Sequence, residues 1–287
     1  MKNNSLLSYR SNEPESSILY VVGTPIGNLN DISLRALNIL KNVSFIYCED
    51  TRQTRKIMSK YKISNNLISL NKHNSQIKMP AIIEALNSEK SIAIVSDAGM
   101  PTICDPGEDI IKIVKSKGFE VICIPGPCAA ITALVSSGMP SSSFIFEGFL
   151  PKKKIDREKI LLDISKNEKT TILFESPYRL KRLLKELLEY CGEKREIEVF
   201  RELTKKFEEH IGYDISSTIK FFEGKEIFGE ITVVIKGIVK KKEKDYNTSE
   251  LKKELSELIN AGLSLSAASK YLAKRNGLKK SIIYNLN

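Results

Sequence analysis

Two carboxylates and an arginine stand together in Glu49-Asp50-Thr51-Arg52, directly after the apolar run that ends at Cys48. Acids leaving the end of a strand can move protons, and Asp50 at a helix start can equally serve as a cap that favours the dipole. Asp97, after the apolar run Ile92 to Val95, can do chemistry or cap its own turn. His73, in the polar loop Asn71-Lys72-His73-Asn74, can donate to a ligand, accept a proton or simply be solvated. Around them lie three loops stiffened by proline: Gly23-Thr24-Pro25-Ile26-Gly27-Asn28, then Ser96 to Gly107 with Ala98-Gly99-Met100-Pro101, then Pro125-Gly126-Pro127-Cys128-Ala129-Ala130. Glycine permits close backbone approach and proline limits motion, so three such loops on successive strands are read as a pocket rather than as isolated turns.

The elements that must position these loops are short. Apolar runs at Ile18 to Val22, Ser44 to Cys48, Leu67 to Leu70, Ile92 to Val95 and Val121 to Ile124 alternate with amphipathic segments, the pattern of a parallel α/β sheet. Loops at the carboxyl edge of such a sheet are where ligands bind. The helices expected between them start at Asn30 or Asp31 as cap, at Thr51, around Ala81 to Leu86, at Glu108 to Lys117 and at Cys128 to Ser137. A further strand, Ser143 to Glu147, closes a first domain at 18–148. A second, at 149–238, opens on the basic cluster Lys152 to Lys154. It holds strands at Thr170 to Phe174, Ile197 to Phe200 and Glu230 to Ile235, the last facing water on one side. Its helices are the leucine-striped one from Leu180 to Cys191 and another over Asp214 to Phe222. Residues 1–17 are a loose leader without a signal peptide's apolar core, and 239–287 are a charged linker, Lys240 to Lys244, with a helical tail.

The chain has 287 residues with 41% apolar content and a mean hydropathy of -0.19, and no segment approaches the roughly 20 apolar residues that cross a bilayer. Of the net charge of +10, the last stretch from Lys240 holds eleven Lys/Arg against five Asp/Glu. That balance suits a polyanion, or reflects a compositional drift toward lysine. Five cysteines without a Cys-x-x-Cys are read as free thiols, three of them buried beside strands, in a reducing cytoplasm. With two histidines and no metal spacing, no metal site is expected, although hard-metal binding by carboxylates stays open. Neither Gly-x-Gly-x-x-Gly, nor a P-loop, nor a serine or cysteine nucleophile motif is present, which leaves a ligand held by main-chain amides and shape.

Read together, Leu19 to Leu29, Glu49-Asp50-Thr51-Arg52, Val95 to Gly107, Pro125-Gly126-Pro127, Phe146 to Pro151, Glu175-Ser176-Pro177 and Arg201-Glu202-Leu203-Thr204-Lys205 closely resemble the ribosomal RNA small subunit methyltransferase I family. The resemblance covers about Ile18 to Gly237, and the tail looks like that family's C-terminal segment. It implies two α/β domains of the tetrapyrrole methylase type with a small C-terminal helical segment. It also implies S-adenosyl-L-methionine as cofactor and methylation of the ribose 2'-oxygen of a cytidine in 16S rRNA of the small ribosomal subunit, by a cytoplasmic homodimer. By resemblance the cofactor is held by Pro25, by Ala98, Gly99, Met100 and Ile103, and by Cys128 and Ala129, with Glu175, Leu203 and Gly229 closing over it. Cys128 stands where a serine is usual, Met100 for a threonine, Lys72 for a glutamate and Tyr178 for a histidine. The chemistry then asks for a base, Asp50 or Asp97, and for Arg52 and His73 to orient the ribose or phosphate. Lys152 to Lys154, Arg55, Lys56 and the tail would hold RNA. Two rivals stay open: methylation of a tetrapyrrole precursor, and a non-catalytic RNA-binding or ribosome-assembly protein.

Overall fold

The computed structural model describes residue 10, residues 12–239 and residues 247–287, in two compact units, Met1–Ile238 and Val239–Asn287. The expected linker Lys240 to Lys244 and most of the leader lie outside the described residues. The described part of the leader is not loose: Glu13 takes a bidentate pair from Arg35 at 2.6 Å, and Arg10 reaches Glu120 at 2.6 Å.

In the first unit the chain runs β1 (Ile18–Val22), α1 (Leu34–Asn42), β2 (Phe45–Cys48), α2 (Thr51–Lys60), β3 (Leu67–Ser69), α3 (Ser75–Asn87), β4 (Ile92–Val95), α4 (Glu108–Ser116), β5 (Glu120–Ile124) and α5 (Ala129–Ser137). The five strands form a parallel sheet in the order β3-β2-β4-β1-β5. Continuous apolar runs suit β1 and β4 because both are central and buried on both faces. Asp50 caps α2 by accepting from Arg52 N–H. Two starts differ from expectation. Helix α1 is capped by Ser33, which accepts from Ala36 N–H, while Asn30 and Asp31 sit in a 3-10 turn capped by Asn28. Helix α3 begins at Ser75 and carries Pro80 inside it, so the proline marks no boundary.

The chain continues through β6 (Phe144–Phe149), α6 (Lys154–Lys166), β7 (Thr170–Glu175), α7 (Pro177–Cys191), β8 (Glu196–Arg201), β9 (Glu209–Asp214), α8 (Ile215–Phe222) and β10 (Ile231–Ile235). These strands make a second sheet, β6-β7-β10-β8-β9, parallel only between β6 and β7. Strand β6, expected as the last of the first domain, therefore hydrogen-bonds into the second sheet. Strand β10 is central and wholly buried, not half wet. One face packs under Ala130, Ala133 and Leu134 of α5 with Ile172 and Phe200, the other against Leu180, Leu183 and Leu187 of α7. Helix α5, which follows β5 of the first sheet, thus lies against the second. Strand β9 had no expected counterpart; it is a polar edge strand with only Ile211 buried. Of the cysteines, all free, only Cys48 is buried; Cys123 faces solvent from edge strand β5 and Cys104 from a loop.

The second unit folds α9 (Thr248–Asn260), α10 (Leu265–Asn276) and α11 (Lys280–Tyr284) around Leu251, Leu255, Leu272 and Ile283. Gly277 caps α10 in the left-handed region, as its place after the last periodic residue predicts. No helix among the described residues is long and apolar enough to cross a membrane.

Candidate active site

The three proline-stiffened loops share one floor. Thr24 and Gly99 exchange backbone hydrogen bonds at 2.8 and 3.1 Å, and Gly23 N–H donates to the Ile124 carbonyl at 3.1 Å. Gly23 and Gly126 meet so closely that a Cβ on Gly126 would lie 2.7 Å from Gly23 Cα, and one on Gly23 would lie 2.6 Å from Met100 Sδ. Gly99 has φ +79°, where a side chain strains the backbone. The side-chain hydroxyls of Thr24 and Ser96, both buried, donate to carbonyls within this floor at 3.2–3.4 Å.

Above it lies a cavity of about 380 Å3, closed on the far side by the second sheet. Ala98, Gly99, Met100, Ile103, Cys128 and Ala129 line it from the first sheet, and Glu175 and Gly229 from the second. Two expected residues do not reach it. Pro25 is buried, leaving Ile26 on the wall, and Leu203 packs in the same apolar cluster as Ile26. The run Arg201 to Lys205 works as a strut: Asn28 N–H donates to Thr204 Oγ1 at 3.0 Å, which ties the first loop to the second sheet. Glu202 accepts from Lys205 Nζ at 2.8 Å and from Glu230 N–H at 2.9 Å, holding the turn at Gly229. Residue spacing could not show Phe149, Phe174, Thr232 and Asp105 on the wall, because three of them are strand residues and Asp105 is one acid in a long loop.

The charged residues on the wall are Asp105, Glu175 and Glu230, and among the described residues no lysine or arginine lines it. Glu175 is fully buried, with Oε1 accepting from Arg179 at 2.6 Å and from Ser176 N–H at 2.8 Å. Its Oε2 stands 3.6 Å from buried Arg157 without a hydrogen bond. Burial pushes the Asp105 carboxyl up, with Asp97 adding to the effect, and burial likewise raises Glu49, reinforced by Asp105 and Asp97.

Of the four residues expected to be catalytic, none lines the cavity. Asp97 is nearest in sequence, exposed beside Ala98, and its Oδ1 accepts from Asp50 N–H at 2.9 Å. Asp50 grips the Arg52 guanidinium at 2.7–3.0 Å while capping α2, and that pair brings its pKa down to about 2. A carboxylate so engaged is a weaker base, and in this geometry it is seen as a helix cap and ion-pair partner. Arg52 is turned onto Asp50. His73 is exposed, its backbone N–H donating to Asn71 Oδ1 at 3.0 Å.

A family model described as Tetrapyrrole (Corrin/Porphyrin) Methylases matches residues 18–216. Proteins named ribosomal RNA small subunit methyltransferase I resemble the chain over most of its length. The one from Bacillus subtilis is 41% identical over 275 residues, 94% of each chain. The one from Thermotoga maritima is 45% identical over 219 residues, 76% of this chain and 98% of that protein. Among solved structures, a cobalt precorrin-4 methyltransferase superposes with a TM-score of 0.60 at 16% identity, over 77% of this chain and 95% of its own. A diphthine synthase gives 0.56 at 14%, over 76% and 89%. At such identities these two speak for the fold alone. Matched in sequence along nearly its whole length and in fold across both sheets, the chain belongs to the ribosomal RNA small subunit methyltransferase I family, within the tetrapyrrole methylases.

Proposed function

We propose that this protein transfers a methyl group from S-adenosylmethionine to the ribose 2'-oxygen of a cytidine in 16S rRNA, acting in the cytoplasm as a homodimer. The observation that carries the reading is the single hollow shared by three main-chain loops and the second sheet, apolar in its bulk and acidic in its charges. Such a lining suits an adenosyl body bearing a sulfonium and an ammonium, and it repels a polyphosphate. Glu175, held on the wall by Arg179 and facing buried Arg157, fixes one of these acids in place. Relatives that share the sequence over 94% of its length carry the name of an rRNA methyltransferase, which supports RNA as the acceptor.

When bound, S-adenosylmethionine supplies a methyl group that is already electrophilic. The loops around Gly23, Gly99 and Gly126 hold the donor through main chain, and Phe149, Phe174 and Ile103 keep the cavity dry, so that much of the gain comes from positioning. The ribose hydroxyl must lose its proton as it attacks. Asp97 takes it: the carboxylate stands exposed next to Ala98, oriented by the Asp50 amide, and the Asp50–Arg52 pair holds that amide in place. Arg52 and His73, both exposed, orient the RNA phosphate and ribose.

Mass mapping of methylated 16S rRNA nucleotides, in cells with and without the protein, tests the reading. Loss of one 2'-O-methylcytidine is expected, and unchanged rRNA with loss of a methylated tetrapyrrole would overturn it. Calorimetry with S-adenosylmethionine must show binding; a chain that binds none is a scaffold.

A further inference from the structure

Three carboxylates line the cavity, and two of them already have cationic partners. Glu175 accepts from Arg179 at 2.6 Å and faces buried Arg157 at 3.6 Å. Glu230 lies 3.1 Å from Lys205 Nζ, which also grips Glu202 at 2.8 Å. Asp105 has no such partner. Among the described residues no lysine or arginine forms an ion pair with it, and Lys72 acts on it only from a distance. The acids around it add to the imbalance: Asp97, from the turn after β4, opposes its charge, and Asp105 in turn opposes that of Glu49, at the end of β2. The Ser96 hydroxyl favours its charged form. Negative charge without a counter-ion therefore gathers on the first-sheet side of the cavity, and Asp105 is the member of that group on the wall.

A half-buried carboxylate, set in a wall that also carries Met100, Ile103 and Phe149, costs the empty chain stability until a cation meets it. Such a cost persists where function needs the group, because a ligand then removes it. S-adenosylmethionine brings two positive groups. Its sulfonium is bonded to three carbons and has no hydrogen to donate, so a diffuse negative field suffices for it. Its α-ammonium is a compact charge with three N–H donors, and it leaves water only for an acceptor. A charge-assisted bond to a free carboxylate is the strongest replacement for that water, and a carboxylate already engaged by arginine or lysine offers less.

We infer that Asp105 receives the α-ammonium of S-adenosylmethionine and so points the amino-acid end of the cofactor toward the loop after β4. The inference rests on the cofactor reading above. It is tested on the full chain by calorimetry with S-adenosylmethionine, with S-adenosylhomocysteine, which lacks the sulfonium charge, and with the deaminated analogue of S-adenosylhomocysteine, which lacks only the α-amino group. The wild type is expected to bind S-adenosylhomocysteine about tenfold more tightly than the deaminated analogue, the scale of one charge-assisted hydrogen bond. Asp105→Asn, similar in size, should lose about tenfold in affinity for both amino-bearing ligands and nothing for the deaminated one, so that the preference disappears. Equal wild-type affinity for S-adenosylhomocysteine and its deaminated analogue overturns the assignment without any variant. A preference that survives in Asp105→Asn overturns it too. A loss confined to S-adenosylmethionine would make Asp105 the partner of the sulfonium instead, and a preference lost in Glu230→Gln but kept in Asp105→Asn would move the ammonium to the second sheet; either result overturns the assignment. These outcomes leave the cofactor reading standing, whereas a wild type that binds none of the three ligands overturns both.

Discussion

At the scale of single residues, the site works by placing acids in unlike surroundings. Asp50 is held down near 2 by Arg52 and its helix cap, whereas Asp105, half-buried on the cavity wall, is pushed up by desolvation. The raised carboxyl sets a sign for stability. Between its ordinary value of 3.8 and its higher folded value, the folded chain holds the proton more tightly than the unfolded one, so stability falls as pH rises through that window. Asp105→Asn should therefore raise the melting temperature at pH 7, with the difference fading below about pH 4 where both states are protonated; thermal scans at the two pH values check it. Asp97→Asn should lower turnover by about a hundredfold at unchanged cofactor affinity, the usual weight of a general base, and single-turnover kinetics with separate calorimetry resolve the two. Gly99→Val places a branched side chain at φ +79° and crowds Ile26 Cγ2, 3.3 Å from where its Cβ would sit. Cofactor affinity should drop by about a hundredfold, by calorimetry, while the thermal transition survives as a single step.

At the scale of elements, the loops matter because they touch each other. Gly126→Ala must force a Cβ against Gly23 Cα, and rigid main chain on both sides leaves little room to yield. A loss of about 2 kcal/mol is expected from urea unfolding, together with weaker cofactor binding, since the same contact builds the cavity floor. The strand runs and the Gly-Pro loops between them were legible in the sequence because β1 and β4 are continuous apolar stretches bounded by strong breakers. Strand β9 was not, because a single apolar residue, Ile211, among Glu209, His210, Gly212, Tyr213 and Asp214 makes no alternating run. Nor was the burial of β10. Its Thr232 looks like a water-facing position, yet α5, from the other sheet's chain of elements, covers that face. Arg201 to Lys205 is a family motif in the sequence; only the fold shows Glu202 and Thr204 fastening the cavity's two sides.

At the scale of the molecule, the cavity floor and its cover come from residues 18–235, while the helical unit at 239–287 has a core of its own. Removing residues 240–287 should leave cofactor affinity and the main thermal transition in place and weaken rRNA binding, by about tenfold if two or three phosphate contacts are lost. Equal loss of both affinities, measured by calorimetry and filter binding, would make that unit structural. The sequence by itself determined the α/β class, the parallel character of the first sheet, the Gly-Pro loops at its carboxyl edge and the family, because local periodicity, backbone chemistry and ordered motifs are written along the chain. Which carboxylate is committed to a cap and which faces the cavity, and that Leu203 supports the wall rather than forming it, were decided only by the tertiary structure. Burial, pairing and strand register join residues far apart in sequence, and no local pattern records them.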